Sequence, residues 1–575
     1  MDFVRLLTTL RLILGCALTL GLLPYAWGRT SVVPMITGRV EPIWASVLAA
    51  GIVAVFALTW RRRLMISRLT WCWLVALVAF GWVGTLGALA AYQSSPVAQL
   101  SSFIGIFLLS SLWVPAFAWL GYAGWPSKLR FTVLLVLLCA VLAFPLTVRV
   151  DGLQGDGSLE LAWRNVPRRD GRASRNETPT LPPTTLSDVT ADDSPQFFGS
   201  NRNGTYSLKL ADWASDVMPR EIWRREVGSG WSGFAAVGGY AVTQEQLGPD
   251  ECVSCYRMTD SALVWRHVAP TRFDSIVGGD GPRATPVIDS GRVYAVGATG
   301  HLTCLNAASG KPIWAATVAE SGPPLDHGLC ASPLIDGDRV IACSASGTSL
   351  AAFDKITGER LWTSITERAG YSSPVIWEVD ASRQILVNNG QGLAGHDVAT
   401  GKLLWLFPWT NEYSTNFAQP IPDAGGPGTV FVSTGFSSGG CALIRVKRDG
   451  PDRWAAEPVW RSKSLRTKFT SAVLFESHFY GLDDGFLACV ESATGKVKWR
   501  DGKYQHGQVI LVGDRLLVQA ESGDVVMVDP SHNGLREVAR IPALSSKTWT
   551  VPCVAAGHLL IRNDREAVCY ELPRK

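Results

Sequence analysis

Apolar and polar positions follow two different rhythms along this chain. Up to residue 148 the apolar runs are long, near 6–27, 41–60, 70–92, 98–121 and 130–148, with short polar breaks between them. Each run is close to the ~20 residues that a helix needs to cross the hydrocarbon core of a bilayer. This half predicts an α-helical membrane domain of about five transmembrane helices over 1–148. From residue 196 to 575 the apolar runs shorten and alternate, bounded by Gly, Asp and Ser, which predicts many short strands.

Composition agrees with the division. Charged residues make up 18% of the 575-residue chain, below the roughly 25% usual for soluble domains. Before residue 149 the acidic residues are Asp2 and Glu41 alone. No span carries Asp, Glu, Lys or His in its middle, so the membrane half reads as an anchor rather than a proton or ion path. With the N-terminus inside, the inner segments carry Arg5, Arg11, Arg61, Arg62, Arg63, Arg68, Lys128 and Arg130, and the outer loops only Arg29 and Arg39. Five spans then place everything after residue 149 outside; a four-span reading reverses that. The first run also resembles a cleaved signal, with Leu14-Gly15-Cys16 as a lipoprotein-like site, but it stays apolar as far as Trp27. A net charge of +4 argues against nucleic acid as a partner.

Residues 149–195 read as a linker. Thr178 to Thr185 is Pro/Thr-rich and should be extended. Leu159 to Trp163 alternates like a short strand and should dock somewhere.

The outer half repeats itself. Asn306 to Trp314, Asp354 to Trp362, Asp397 to Trp405 and Glu491 to Trp499 match closely, each with Trp four residues after a turn Gly. Looser copies end at Trp223, Trp265, Trp460 and Val538, so successive positions lie 42, 49, 48, 43, 55, 39 and 39 residues apart. Each unit opens on a small residue (Thr285-Pro, Ser332-Pro, Ser373-Pro) and holds four short strands, the content of a propeller blade. The turn acid can accept backbone N–H bonds, and the Trp can fill the gap between blades. Eight units are counted, or seven if one is an insertion. The last inner set, Val551 to Leu572, lacks a Trp strand, and the Trp223 strand lacks an inner set. Their pairing would close the ring.

At these residues the chain resembles the pyrroloquinoline-quinone (PQQ) repeat family of β-propellers, whose hallmark is the Asp-x-x-Thr-Gly-x-x-x-Trp turn, over roughly 220–572. Ser194 to Gly204 and Gly155 to Trp163 resemble a membrane-anchored bacterial subset common in planctomycetes. The resemblance implies an all-β, eight-bladed, quinoprotein-like propeller over 196–575. It also implies one of two functions. One is a quinoprotein dehydrogenase, since the layout is similar to membrane-bound quinoprotein glucose dehydrogenases. The other is a non-catalytic propeller that binds envelope proteins.

A dehydrogenase of this kind would use PQQ with Ca²⁺, a carboxylate base and basic groups on the quinone. Residues where inner strands begin supply the candidates. Asp280 would be the base, and Arg283, His327, Tyr371, Asn416, Gln419, Lys468 and Gln508 would line the cofactor. The plainer reading makes them solvated loop residues satisfying local turns. No Cys-Cys pair, no alignable Ca²⁺ set and no zinc pattern is present, so no metal site is assigned. Cys304, Cys489, Cys255 and Cys569 share a third-strand position suited to a small buried side chain. Cys252 and Cys255, three apart on a strand, face opposite sides. Trp231, Phe234, Phe407 and Trp409 are candidates for an exposed aromatic docking patch. The reading adopted is a bacterial inner-membrane protein with a periplasmic propeller that acts as a binding or scaffold module of the cell envelope. The bilayer and envelope proteins are its partners. The alternative is a PQQ-dependent membrane dehydrogenase passing electrons from a sugar or alcohol to membrane quinone.

Overall fold

The computed structural model describes most of residues 147–575. It leaves out 156–158, 167–176, 180–185, 187, 214–216, 276, 319–325, 345–348, 365–368 and 451–452, and before 147 it describes Thr132 and Val136 only. The chain divides into two compact units, Met1–Ala143 and Phe144–Lys575. The five expected spans lie outside the described residues. Among the described residues no helix is long and apolar enough to cross a membrane.

The second unit is all-β. Among its described residues it forms eight sheets of four or five strands plus one two-stranded hairpin. Blades 1 to 7 are contiguous in sequence, over residues 235–269, 287–317, 334–363, 375–408, 421–462, 473–503 and 508–542. Blade 8 is composite. Cys553–Ala555, His558–Arg562 and Glu566–Glu571 supply its inner strands, and Arg220–Glu226 supplies its outer one, with Trp223 opposite Cys569. The unpaired ends expected from the sequence therefore meet, and the closure removes the open edges that such sheets would otherwise carry.

The outer strand repeats one piece of geometry. A bulge interrupts the register between third and fourth strands next to each Trp, as at Cys255/Tyr256 and Cys304/Leu305. Cys255, Cys304, Cys489 and Cys569 all sit opposite a Trp and are fully buried, as the sequence implied. Cys252 and Cys255 are both free and buried.

The turn chemistry also follows the sequence. Asp354 Oδ1 accepts from the N–H groups of Ile356 at 2.9 Å and Thr357 at 2.7 Å. Gly310, Gly358, Gly401 and Gly495 have φ of 67–77°, a region that glycine alone enters at no steric cost. Each also lies under the Trp of the preceding blade, where a Cβ would come within 2.3–2.6 Å of the indole. The Trp265 and Trp460 indoles donate Nε1–H to the turn carbonyls of Ala307 and Ser492, at 2.9 and 2.8 Å. The Trp–Gly pair is thus the joint between blades.

Candidate functional site

The small residue that opens each blade has a part the sequence pattern did not reveal. The Gly233 N–H donates to Thr285 Oγ1 at 3.2 Å, Thr285 N–H to Ser332 Oγ at 2.9 Å, and Ser332 N–H to Ser373 Oγ at 3.0 Å. Gln419 N–H likewise donates to Ser471 Oγ, at 3.0 Å. These residues form a hydroxyl belt around the axis, and each link ties one blade to the next.

Two residues before the belt, on the lead-in side, the eight units place Trp231, Arg283, Cys330, Tyr371, Phe417, Phe469, His506 and Trp549, each followed by a small residue. Six of these eight are aromatic or His, and most of those rings meet at the axis. Ring centroids are 5.0 Å apart for Trp231–Trp549, 5.1 Å for Trp549–Phe469 and 5.2 Å for Phe469–Phe417. Phe417 and Tyr371 stack at 4.6 Å, and His327 meets Tyr371 edge-on at 5.1 Å. The channel mouth is filled by its own side chains.

The eight sequence candidates have these places. Arg283, His327 and Tyr371 come together at one side of the cluster. The Arg283 guanidinium donates to the carbonyls of Gly279 and Gly281 and lies over the Phe273 ring at 4.5 Å. Burial lowers its pKa. Burial, helped by the Arg283 charge, pushes His327 down to about 3, so its imidazole is neutral at physiological pH. Asp280, about one-third exposed, pairs with Arg272 at 3.2 Å and lies near enough to Arg283 for its charge to favour the guanidinium. Asn416 donates to Asn389 O at 2.6 Å and accepts from Thr434 Oγ1 at 2.5 Å. Gln419 donates to Arg202 O at 2.9 Å, and Gln508 donates to Phe469 O at 2.9 Å and Trp549 O at 2.7 Å. Lys468 donates to the carbonyl of Gly155 and lies 4.9 Å from the Phe436 ring centroid.

Five of them bond backbone carbonyls, Arg283 nearby and Asn416, Gln419, Lys468 and Gln508 at longer range, and most of the eight are buried rather than solvated. Phe417, Phe469, His506 and Trp549 were not among the sequence candidates; their register before the belt is the signal that would have found them. The expected exposed patch is absent at its named residues. Trp231, Phe234 and Phe407 are buried, and Arg461 covers the half-buried Trp409 at 5.6 Å. Phe234, Phe407 and Trp409 pack in blade cores and Trp231 in the axial cluster, where a large ring gains most from packing.

Both ends of the channel are covered by chain from before blade 1. At one end residues 194–206 run under the ring. Ser194 pairs with Ala236 of blade 1, and Pro195 O accepts from Ile288 of blade 2. The buried Arg202 donates to Ser332 O and Pro333 O of blade 3 at 3.1 and 2.9 Å. Thr205–Tyr206 adds a parallel strand to the inner edge of blade 7. At the mouth, the hairpin of Val148–Leu153 and Leu159–Trp163 docks as its alternating pattern suggested. The Gly155 N–H donates to Glu521 Oε1 at 2.6 Å, and Lys547 donates to Leu153 O at 2.8 Å.

The residues do not fit a bound quinone with Ca²⁺. The rings that would sandwich the quinone pack on one another instead, Tyr371 on Phe417 face to face and the others tilted or edge-on, and Arg283 and Lys468 are engaged with backbone carbonyls. Among the described residues no group of three or more His, Cys, Asp or Glu is placed to hold a metal.

The family model PQQ_2, described as outer membrane protein assembly factor BamB, matches residues 220–501. The repeat is of the PQQ-propeller type. Relatives of this PQQ-repeat propeller include the outer membrane protein assembly factor BamB of Shewanella oneidensis, 24% identical over 317 residues, covering 52% of this chain and 76% of that one. BamB of Burkholderia pseudomallei is 23% identical over 378 residues, covering 64% and 91%. Among solved structures, BamB from Moraxella catarrhalis aligns with a TM-score of 0.46 at 19% identity, covering 62% of this chain and 100% of that one. A europium-containing methanol dehydrogenase aligns with a TM-score of 0.40 at 10% identity, covering 64% and 90%.

One buried acid beside the cluster gives the PQQ-repeat propeller a pH dependence. Burial pushes Glu251 up from 4.5 to about 7, against the pull of the Ala298 N–H and the Arg283 charge. A group whose folded pKa is raised stabilises fully below its unfolded value and loses that contribution as pH rises through the folded one. The stabilisation should therefore be complete below about pH 4.5 and gone above about 7. It amounts to as much as about 3 kcal/mol, at 1.36 kcal/mol per unit. Denaturant midpoints taken at pH 5 and pH 8 should differ less in Glu251→Gln than in the parent.

Proposed function

We propose that this protein is a binding and scaffold module of the bacterial cell envelope, with its PQQ-repeat propeller presented on the periplasmic side by an inner-membrane anchor. The observation that carries the reading is the filled channel mouth. A cofactor site is a concavity with a few convergent polar groups; here the rings from Trp231 round to His327 pack on each other under a docked hairpin. The similarity to BamB, an outer membrane assembly factor by its description, supports an envelope role, with other envelope proteins as partners. The apolar runs over 1–148 support the anchor, and their Lys/Arg bias supports the orientation.

The deciding experiment titrates the full chain in detergent with PQQ and Ca²⁺, following Tm and dye reduction with a panel of sugars and alcohols. No saturable shift and no dye reduction are expected. A saturable rise in Tm accompanied by dye reduction would overturn this reading in favour of a dehydrogenase.

A further inference from the structure

The hairpin before the propeller is held in an unusual way. It forms a sheet of its own, pairing with no blade among the described residues. Two strands alone are marginal in water, so its contacts at the mouth must hold it there. Three charged side chains read its backbone, and Arg565 adds an ion pair to Glu160 of the second strand at 3.3 Å. Glu521 Oε1 accepts from Gly155 N–H, Lys468 donates to Gly155 O, and Lys547 donates to Leu153 O.

The three are built for this place. Glu521 is buried, and its two oxygens also accept from Trp549 Nε1 at 2.8 Å and from His506 N–H at 3.0 Å, so it is fixed by two blades. The buried Lys547 ammonium lies 4.4 Å from the Trp549 ring centroid and 3.3 Å from Glu160 of the hairpin. Gly155 is sterically required, because a Cβ there would lie 2.4 Å from His506 Cδ2. The floor of the site is the aromatic cluster. A site of this make distinguishes a glycine backbone from other residues and has a positive and a negative end to orient it.

We propose that the channel mouth is an exchangeable peptide-loop site, and that a glycine-bearing loop at the tip of a β-hairpin on a partner envelope protein occupies it in place of the chain's own Gly155 loop. The proposal rests on the scaffold reading above. The recognition reads the partner's backbone at one glycine, with an acidic residue in the place of Glu160 as its side-chain contact to Lys547 and Arg565. The chain's own hairpin competes at the high effective concentration of a tethered ligand, so it keeps the rings and lysines covered until a better-fitting loop arrives.

The test uses the full chain in detergent and a labelled, backbone-cyclised peptide copying residues 148–163. In the parent, saturating peptide should displace the tethered hairpin and raise hydrogen exchange at Val148–Leu153. The variant Gly155→Val should release the hairpin outright and bind the peptide at least about tenfold more tightly than the parent, since no tethered competitor remains. Adding Glu521→Gln to that variant should abolish binding, and a peptide carrying Gly155→Val should not bind. Unchanged exchange in the parent at saturating peptide would overturn the proposal. So would equal peptide affinity for parent and Gly155→Val. The displacement arm needs no variant to fold. The scaffold reading fails separately, on cofactor binding and dye reduction.

Discussion

Replacing Arg562 by methionine is expected to lower the stability of the propeller by about 3–5 kcal/mol, the usual cost of removing one member of a buried charged network. Arg562 is fully buried on an inner strand of blade 8 and reaches across the closing seam to blade 1. It donates to Thr243 Oγ1 at 2.9 Å, Gln244 O at 2.7 Å and Gly228 O at 2.7 Å. Its loss strands those carbonyls and removes a counter-charge from the buried Glu245. Burial opposes the charge on Glu245, but Arg266 and Arg562 outweigh it and hold the carboxyl below its ordinary range. Glu245 in turn accepts from Gly228 N–H at 2.7 Å and from the hydroxyls of Ser254 and Tyr256 at 2.6 Å each. Methionine keeps much of the volume, so the loss reads the charge and hydrogen bonds rather than a cavity. The check is the denaturant midpoint followed by tryptophan fluorescence, with Glu245→Gln measured beside it. Because the two residues share a network, the double variant should cost less than the two single losses added together. Additive losses would mean that they act independently at the seam.

The blade count and the closure of the ring were legible because they rest on local chemistry. A Thr-Gly turn four residues before a Trp is written within one stretch of chain, and the missing partner strands at the two ends could be matched by counting. The buried cysteines were legible for the same reason. The site was legible only in part. The sequence located the lead-in loops but ranked residues by charge, so Asp280 was singled out although its partner is Arg272, at the margin of the cluster. The rings that fill the mouth come from loops tens of residues apart, and no single loop reveals that they meet. The hairpin contact is more remote still, joining Gly155 to Glu521 across 366 positions. Trp231 and Phe234 looked like a docking patch because an aromatic residue in a loop carries no mark of which way it faces. The repeat register carries that information: counting back two residues from the belt places Trp231 in the same class as Tyr371, Phe417, Phe469 and Trp549, and so at the axis.

The joint between blades supplies the other large effect. Trp265→Ala should cost about 3–5 kcal/mol, the range for truncating a buried Trp. Its ring is almost fully buried, its Nε1–H is bonded to Ala307 O, and Gly310 of blade 2 lies against its face. Gly310→Ala should also be costly, for two separable reasons. The residue has φ +67°, which strains any Cβ, and that Cβ would lie 2.5 Å from Trp265. Only the second reason depends on the Trp. In the Trp265→Ala background the same Gly310→Ala change should therefore cost only about 1 kcal/mol, the backbone term alone, because the space above the glycine is then open. The double-mutant cycle measured by denaturant unfolding thus separates turn conformation from blade packing. If Gly310→Ala costs the same with and without the indole, the glycine serves the turn alone and the Trp–Gly contact does not join the blades. If the cost collapses, the Thr-Gly-x-x-x-Trp spacing is explained by packing as well as by turn geometry. Each turn glycine then keeps its place because the Trp of the preceding blade rests on it.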